Sequence, residues 1–206
     1  MKNMNKWTLI WTFVVATNCA PTLASPANLG ELTQQLRIYA DDGEYERDLK
    51  AAGDQALEYL NAHSKSVQRP ALVLDIDETS LSNLKQLEAS QFSYFPGAPC
   101  DDHAALQINR PLPCGALAWD GFKQTPAIEP TRQLYLAAVN AGVEVFFITG
   151  RHDDELEPTF ANLMNANFTG VKRENLILKQ KADPPRRRRT SRLPARVSKT
   201  RAITLY

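Results

Sequence analysis

Cysteine and histidine, the side chains that build most zinc sites, are scarce in this 206-residue sequence, which contains three of each. The histidines, His63, His103 and His152, are scattered along the chain and do not have the spacing of a ligand set. His103 lies three residues after Cys100, but no further ligand accompanies this pair. The sequence therefore gives no indication of a cysteine–histidine metal site.

The sequence also lacks a hydrophobic run that could cross a membrane as a permanent helix. Its N-terminal apolar stretch, WTLIWTFVVA (Trp7–Ala16), has ten residues, whereas a membrane-spanning helix needs roughly 20. The stretch follows Lys2 and Lys6 and precedes small residues, which is the pattern of a cleavable secretory signal peptide. We therefore predict that residues 1–27 are removed and that the mature protein is periplasmic or secreted.

The cysteines leave two questions open. Cys19 would allow lipid attachment instead of simple cleavage, although Asn18 before it is bulkier and more polar than such sites usually allow. Cys100 and Cys114 lie in a proline-rich stretch, and an oxidising compartment would let them form a disulfide. Two unpaired thiols are the alternative.

Acidic residues are almost absent from the last part of the chain. Residues 179–206 contain ten lysines and arginines and one acidic residue, Asp183, whereas residues 1–178 contain 14 basic and 22 acidic residues. The formal net charge of +1 therefore hides two segments of different composition. The composition as a whole, with 43% hydrophobic and 23% charged residues, is typical of a globular protein with one sizeable core.

The order of the predicted helices and strands indicates an α/β fold. Between Ala27 and Ser66, apolar residues recur at three- and four-residue spacings, which predicts two amphipathic helices. Strands and helices then alternate, which predicts a parallel, Rossmann-like sheet with flanking helices. These elements are a strand in PALVLDID (70–77), a helix over Glu129–Asn140, a strand in VEVFFITG (143–150), a helix over Asp154–Asn165 and a strand in NLILK (175–179).

Two aspartates follow the first strand. Asp75 and Asp77 lie where PALVLDID ends, and the ligand site of an open parallel sheet lies beyond the carboxyl ends of its strands. Neighbouring carboxylates repel each other unless a divalent cation or a shared proton offsets the repulsion. Mg²⁺ binds carboxylate oxygens together with a substrate phosphate, so that one aspartate can attack phosphorus while the other transfers a proton. A helix cap and a turn residue are the alternative.

A threonine and a glycine end the second strand. The Thr149 hydroxyl and the Gly150 amide supply neutral donors for phosphate oxygens, and Arg151 can add positive charge. A Thr-Gly pair alone is often only a turn. Its position at the same sheet edge as Asp75 and Asp77 favours a phosphate site.

The segments VLDIDETSLSN (73–83) and VFFITGR (145–151) resemble motifs of the haloacid dehalogenase-like superfamily of phosphohydrolases. Within it, the chain resembles the exported class B-type acid phosphatases marked by Asp-Ile-Asp-Glu-Thr, from about residue 30 to residue 179. The resemblance implies that Asp75 is the nucleophile and Asp77 the general acid/base. It also implies that Mg²⁺ is held by the Asp75 carboxylate and the Asp77 main-chain carbonyl, and that Thr149 binds the transferred phosphoryl group.

The proline- and glycine-rich residues 80–127 are predicted to form a small, loop-rich cap insertion within a domain over residues 28–179. The resemblance implies that this cap shapes substrate access. Four aromatic residues are candidate substrate contacts, and packing within the cap is the alternative for each. They are Phe92, Tyr94, Phe95 and Trp119.

Beyond Lys179 the sequence departs from the family pattern, which continues with a phosphate-neutralising lysine, another strand and a Gly-Asp motif with a further metal-binding aspartate. Lys199 resembles that lysine, with Lys179 and Lys181 as competitors, and no acidic residue follows Asp183. We interpret this change as a truncation or an altered reading frame. We accordingly expect an incomplete sheet in which the first strand lies at an edge, and a basic, disordered tail over residues 180–206.

The sequence therefore predicts an exported, Mg²⁺-dependent acid phosphatase that hydrolyses small phosphomonoesters through a phospho-Asp75 intermediate. Thr149, Gly150 and Lys199 are the predicted phosphate-binding residues, and the sequence leaves open whether the chain is active or has been inactivated by loss of the C-terminal motifs. A rival hypothesis is a non-catalytic protein whose polybasic segment around Arg186–Arg189 binds nucleic acid, anionic lipid or an acidic partner. We expect no nucleic-acid partner and no stable membrane span, since a solvated tail is the usual fate of such composition.

Overall fold

A computed structural model of the chain describes residues 28–94 and 115–180, and the backbone of residues 201–204. The predicted signal peptide, the Cys100–Cys114 disulfide, Phe95 and Lys199 lie outside the described residues. None of the helices among the described residues is long and apolar enough to cross a bilayer. The six helices and four strands described are α1 (Leu29–Asp41), α2 (Glu44–His63), β1 (Pro70–Leu74), α3 (Leu84–Ala89), α4 (Gly115–Phe122), α5 (Glu129–Asn140), β2 (Glu144–His152), α6 (Leu156–Asn165), β3 (Leu176–Lys179) and β4 (Arg201–Thr204).

Two N-terminal helices form as predicted. The side chain of Asn28 caps α1 by accepting a hydrogen bond from the Gly30 amide at 2.8 Å. Gly43 separates α1 from α2 with a φ of +72°, a conformation that glycine adopts without strain. Helix α2 packs against α5, and at Gly53 the two helices approach so closely that an added Cβ would lie 2.5 Å from Cβ of Pro130.

The described strands form one sheet in the order β3-β2-β1-β4, with every neighbouring pair parallel. Alternate side chains point to opposite faces. One face, with Leu72, Leu74 and Phe147, packs against α2, α5 and α6 in the main core. The other face carries a smaller cluster around Val73 and Phe146. Strand β1 and residues Val145–Phe147 of β2 are buried on both faces, which is why their sequences read as apolar runs.

The prediction that β1 lies at an edge of the sheet was wrong. Residues Arg201–Thr204 form β4, which pairs in parallel with β1 on the side opposite β2. These four residues therefore belong to the sheet and not to a disordered tail, because β1 offers them a row of main-chain donors and acceptors. The polybasic run Arg186–Arg189 lies outside the described residues, and its binding role stays a prediction.

The predicted insertion contains two short helices within the described residues, α3 and α4. After β1 the chain makes a compact turn, in which the Leu81 amide donates to the Ile76 carbonyl at 2.8 Å. The Ser80 hydroxyl donates to the Asp75 carbonyl at 2.6 Å. This turn fixes the path of the chain directly beyond the carboxyl end of β1.

Candidate active site

The turn after β1 places Asp75 and Asp77 at the same sheet edge as Thr149 of β2. Leu74, the last residue of β1, pairs with Phe147 of β2 in parallel register, so that Asp75 leaves β1 beside the part of β2 that continues through Thr149 to His152. The Thr149 hydroxyl lies 3.5 Å from Oδ2 of Asp77, at the outer limit of a hydrogen bond. The structure therefore brings together three of the predicted site residues from two strands.

Asp75 and Asp77 have different surroundings. Asp75 is exposed, and its closest side-chain contact is the Thr79 hydroxyl, 3.5 Å from Oδ2. Partial burial raises the pKa of the Asp75 carboxyl group and the negative charge of Asp77 adds to the shift, against hydrogen bonds from Ile76 and Thr79. Asp75 is thus the carboxyl group that faces solvent at the strand end.

Asp77 is held by the guanidinium group of Arg151. Nη2 of Arg151 lies 2.6 Å from Oδ1 of Asp77, and Nε lies 3.1 Å from Oδ2. Burial disfavours the charged form of Asp77, but the hydrogen bonds and charge of Arg151 outweigh it and hold the pKa below its ordinary value. Asp77 is therefore ionised in the free site. The position of Arg151 after Thr149 and Gly150 suggested that its charge would face a bound phosphate, but its guanidinium group binds Asp77 instead.

A second carboxylate, that of Asp120 in α4, also binds Arg151. Its Oδ1 lies 2.8 Å from Nη2 of Arg151, whose side chain is 3% exposed. Burial raises the pKa of Asp120 to about 7, because Arg151 offsets it only in part and the charges of Asp77 and Glu155 add to the shift. The buried guanidinium group of Arg151 thus forms ion pairs with both Asp77 and Asp120.

Trp119, the neighbour of Asp120, reaches Asp77 through an asparagine. The indole Nε1–H donates to Oδ1 of Asn83 at 2.8 Å. The Asn83 amide Nδ2 in turn donates to Oδ1 of Asp77 at 2.9 Å. Trp119 is only 3% exposed. This burial favours packing within the insertion over contact with a substrate. Tyr94 is exposed and Phe92 is half-buried.

Glu78, the acid that follows Asp77, supports the turn. Its carboxylate accepts hydrogen bonds from the Tyr45 hydroxyl at 2.6 Å and from the main-chain N–H of Asn83. Its backbone has a φ of +56°, an uncommon conformation for a residue with a side chain. The two bonds to Glu78 therefore anchor the turn to helix α2 and to Asn83, which itself binds Asp77.

Of the remaining predicted phosphate-binding residues, the structure describes Gly150 but not Lys199. Gly150 is exposed, and no atom would lie within 4 Å of an added Cβ, so the space beside it is open. Lys199 lies outside the described residues and its role stays a prediction. Thr149 and Gly150 are thus the predicted phosphate-binding residues that the structure describes, and their role also stays a prediction.

The oxygen atoms at this edge fit a magnesium ion in part. The Asp77 side chain binds Arg151 and Asn83. The oxygens that the resemblance implies for a cation are the Asp75 carboxylate and the Asp77 main-chain carbonyl. Among the described residues, no group of three or more acidic, histidine or cysteine side chains could hold a metal ion. Mg²⁺ commonly binds through one or two carboxylates, with water and phosphate as its other ligands, so two protein oxygens are compatible with it.

Sequence reasoning did not find the roles of Asn83, Trp119 and Asp120. Asn83 belongs to the quoted motif but had no assigned contact, and AWDGF (118–122) matches no pattern with a known chemistry. An acid next to a tryptophan in a short apolar segment was the only signal. Their convergence on Asp77 depends on how α4 packs, which spacing along the chain does not reveal.

Comparisons with known proteins place this geometry in a family. A family model described as HAD superfamily, subfamily IIIB (Acid phosphatase) matches residues 2–199. Acid phosphatase 1 of Solanum lycopersicum is 29% identical over 164 residues, which cover 77% of this chain and 56% of that protein. The chain thus spans little more than half the length of this relative.

Solved structures confirm the fold. The class C acid phosphatase from Bacillus anthracis aligns with a TM-score of 0.54 and 20% identity over 71% of this chain and 58% of that chain. The same enzyme with tungstate bound aligns with a TM-score of 0.53 and 22% identity over 74% of this chain and 60% of that chain. The predicted α/β, haloacid dehalogenase-like fold is confirmed, whereas the class B assignment stays a prediction. By its family match, the chain belongs to the acid phosphatases of subfamily IIIB of the HAD superfamily.

Proposed function

We propose that this chain is a phosphoric monoester hydrolase that transfers the phosphoryl group of its substrate to Asp75. The observation that carries the proposal is the contrast between two neighbouring carboxylates at one strand end. Asp75 is exposed with a single weak side-chain contact, whereas Asp77 is fixed by Arg151 and Asn83. An accessible nucleophile beside a positioned acid/base group is the arrangement that covalent phosphoryl transfer needs.

Each residue of the site has a defined part in the proposed reaction. An oxygen of Asp75 forms a bond to phosphorus while the bond from phosphorus to the leaving oxygen breaks, and Asp77 gives a proton to that oxygen. Asp77, then ionised, takes a proton from the water that hydrolyses the phospho-aspartate. Thr149 and Gly150 donate hydrogen bonds to the phosphoryl oxygens.

Acidic conditions favour the first step. Because Arg151 lowers the pKa of Asp77, the protonated form that assists the leaving group is scarce near neutral pH and becomes more abundant as the pH falls. The tungstate bound to the Bacillus anthracis enzyme supports an oxyanion site in this fold.

A magnesium ion, held by the Asp75 carboxylate and the Asp77 main-chain carbonyl, would neutralise charge on the phosphate during transfer. The shared fold with acid phosphatases and the two oxygens left at the strand end support this assignment. For the compartment we propose the periplasm or the exterior of the cell, supported by the pattern of Lys2, Lys6 and Trp7–Ala16.

Phosphate release from p-nitrophenyl phosphate, with and without Mg²⁺, tests the proposal on the full chain. We expect release from the wild type and a loss of at least about a hundredfold in Asp75→Asn, since the nucleophile is removed. Asp54→Asn is the matched control, because Asp54 lies in an exposed ion pair with Lys50 on α2. Equal rates in Asp75→Asn and Asp54→Asn, or a folded wild type without activity, would contradict the proposal.

A further inference from the structure

Two consecutive residues of helix α4, Trp119 and Asp120, are each one contact removed from Asp77. Both are buried, although they belong to the insertion and not to the sheet that carries Asp77. Buried polar groups are costly unless they are satisfied. Their placement therefore raises the question of what this pair does for the site.

The first connection runs through Asn83. Its side-chain oxygen accepts from the Trp119 indole at 2.8 Å, and its amide nitrogen donates to Oδ1 of Asp77 at 2.9 Å. Trp119 can only donate, so it fixes which end of the Asn83 amide faces Asp77. If the indole N–H were lost, the Asn83 oxygen would lose this partner, and the bond to Asp77 would be left to hold the amide group.

The second connection runs through Arg151. Its Nη2 contacts Oδ1 of Asp120 at 2.8 Å and Oδ1 of Asp77 at 2.6 Å, and its Nη1 donates to the Thr159 hydroxyl at 3.3 Å. The planar guanidinium is thus held on several sides. In its ionised form, Asp120 also draws part of the positive charge of Arg151 away from Asp77.

Both connections end on the same oxygen of Asp77. Oδ1 accepts the two short bonds, from Asn83 and from Nη2 of Arg151. Oδ2 has longer contacts, at 3.1 Å to Nε of Arg151 and 3.5 Å to the Thr149 hydroxyl. Oδ1 is therefore the anchored oxygen, and Oδ2 is the one available to carry and release a proton.

We propose that Trp119 and Asp120 are positioning residues of the insertion, which act through Asn83 and Arg151 to hold the Asp77 carboxyl group for proton transfer to the leaving group. The inference rests on the proposed function and extends it. The insertion then takes part in the chemistry and does not only shape access to it. In this arrangement a displacement of α4 loosens both connections at once.

Leaving-group dependence separates a role in proton transfer from a merely structural one. As the phosphorus–oxygen bond breaks, the leaving oxygen takes the proton of Asp77, and this help matters more for a poor leaving group. Phenyl phosphate and p-nitrophenyl phosphate have the same core, but phenolate leaves far less readily than nitrophenolate. Since kcat/KM covers the steps up to departure of the leaving group, the ratio of kcat/KM for the two substrates reports the proton transfer.

Trp119→Phe and Asp120→Asn are the test variants, because the first removes the indole N–H and keeps an aromatic ring, whereas the second removes the negative charge beside Arg151 and keeps the shape of the side chain. For each we expect kcat/KM to fall roughly tenfold for phenyl phosphate and only about twofold for p-nitrophenyl phosphate, a part of the 10²–10⁴ that general acid catalysis supplies. Tyr135→Phe is the matched control for Trp119→Phe, since it removes the hydrogen bond of a buried ring to the Thr169 carbonyl. Glu157→Gln, in an exposed pair with Arg173, is the control for Asp120→Asn.

Two further measurements make the outcomes distinct. In an Asp77→Asn background, Trp119→Phe and Asp120→Asn should leave the substrate ratio unchanged, because the group they position is gone. In ¹H–¹⁵N spectra of the full chain, Asn83→Ala should shift the indole signal that disappears in Trp119→Phe.

If the wild type is active and both variants slow the hydrolysis of the two substrates equally, this inference alone would be overturned. A folded wild type that releases no phosphate would overturn the proposed function and this inference with it.

Discussion

Asp120 shows how a single buried acid can cost stability at a candidate active site. Its carboxyl group is 12% exposed and shares one guanidinium with Asp77. Burial dominates its ionisation, so its pKa is raised although it lies 2.8 Å from a cation. A buried ion pair of this kind is weak evidence for stability.

The free energy of unfolding should depend on pH through Asp120. Its pKa is about 7 in the folded chain against an ordinary value of 3.8, so the folded state binds the proton more tightly. Its contribution to stability is therefore fully present below about pH 4 and is lost as the pH rises to about 7. Each unit of this difference corresponds to roughly 1.4 kcal/mol.

Asp120→Asn removes this titration. Relative to the wild type, the variant should gain stability as the pH rises between about 4 and about 7, and the difference should then stay constant. Urea unfolding at several pH values measures it, with Asp54→Asn as the control for an exposed carboxylate. A difference that does not change with pH would show that Asp120 does not titrate in this range.

At the scale of elements, the sequence predicted most helices and strands because their signals are local. Helix α5 has the predicted bounds Glu129–Asn140, with Gly142 beyond it at a φ of +73°. Strands β1 and β3 follow from short apolar runs. Helix α4 has no such signal, since AWDGF shows no clear period, and its contacts with Asn83 and Arg151 arise only from packing.

Close packing of α2 against α5 reverses the usual effect of a glycine in a helix. Replacing a helical glycine by alanine normally stabilises a protein by about 0.5–1 kcal/mol. In Gly53→Ala, however, the new methyl group would lie 2.5 Å from Cβ of Pro130, so we expect a loss of roughly 1–3 kcal/mol from overpacking. Thermal or urea unfolding measures the change.

Gly121 in α4 is the matched control, because no atom would lie within 4 Å of an added Cβ there. Gly121→Ala should therefore leave stability unchanged or raise it by up to about 1 kcal/mol. If Gly53→Ala also raises stability, the two helices do not approach as closely as Gly53 and Pro130 indicate.

For the molecule as a whole, the sequence predicted three strands of the sheet and missed the fourth. The segment that contains β4 is strongly basic and follows prolines, and these features indicated a disordered tail. Strand β4 is specified by its pairing with β1 more than by its own composition, so β-propensity alone could not reveal it. The site residues divide in the same way. Asp75, Asp77 and Thr149 lie at the ends of predicted strands and could be found from the sequence, whereas Trp119 and Asp120 reach the site only through packing.

Proline substitutions in β4 test the pairing of Leu72 with Ile203. In a parallel ladder, alternate residues of a strand donate their amides to the same neighbour, so only one of Ala202→Pro and Ile203→Pro removes a hydrogen bond to β1. We expect that variant to lose roughly 3 kcal/mol of unfolding free energy and the other distinctly less. Equal, negligible losses in both variants would argue against the fourth strand.

The β1–β4 pairing also has a consequence for the order of folding. Leu72 and Ile203 are distant in sequence, and contacts of high sequence separation form slowly because a long loop must first be closed. Strands β1, β2 and β3 lie closer together in the sequence and can pair before β4 joins them. Until β4 arrives, β1 presents an apolar strand with a free edge, which is the kind of surface on which partly folded chains aggregate. The pairing of β4 with β1 would then decide the yield of soluble protein.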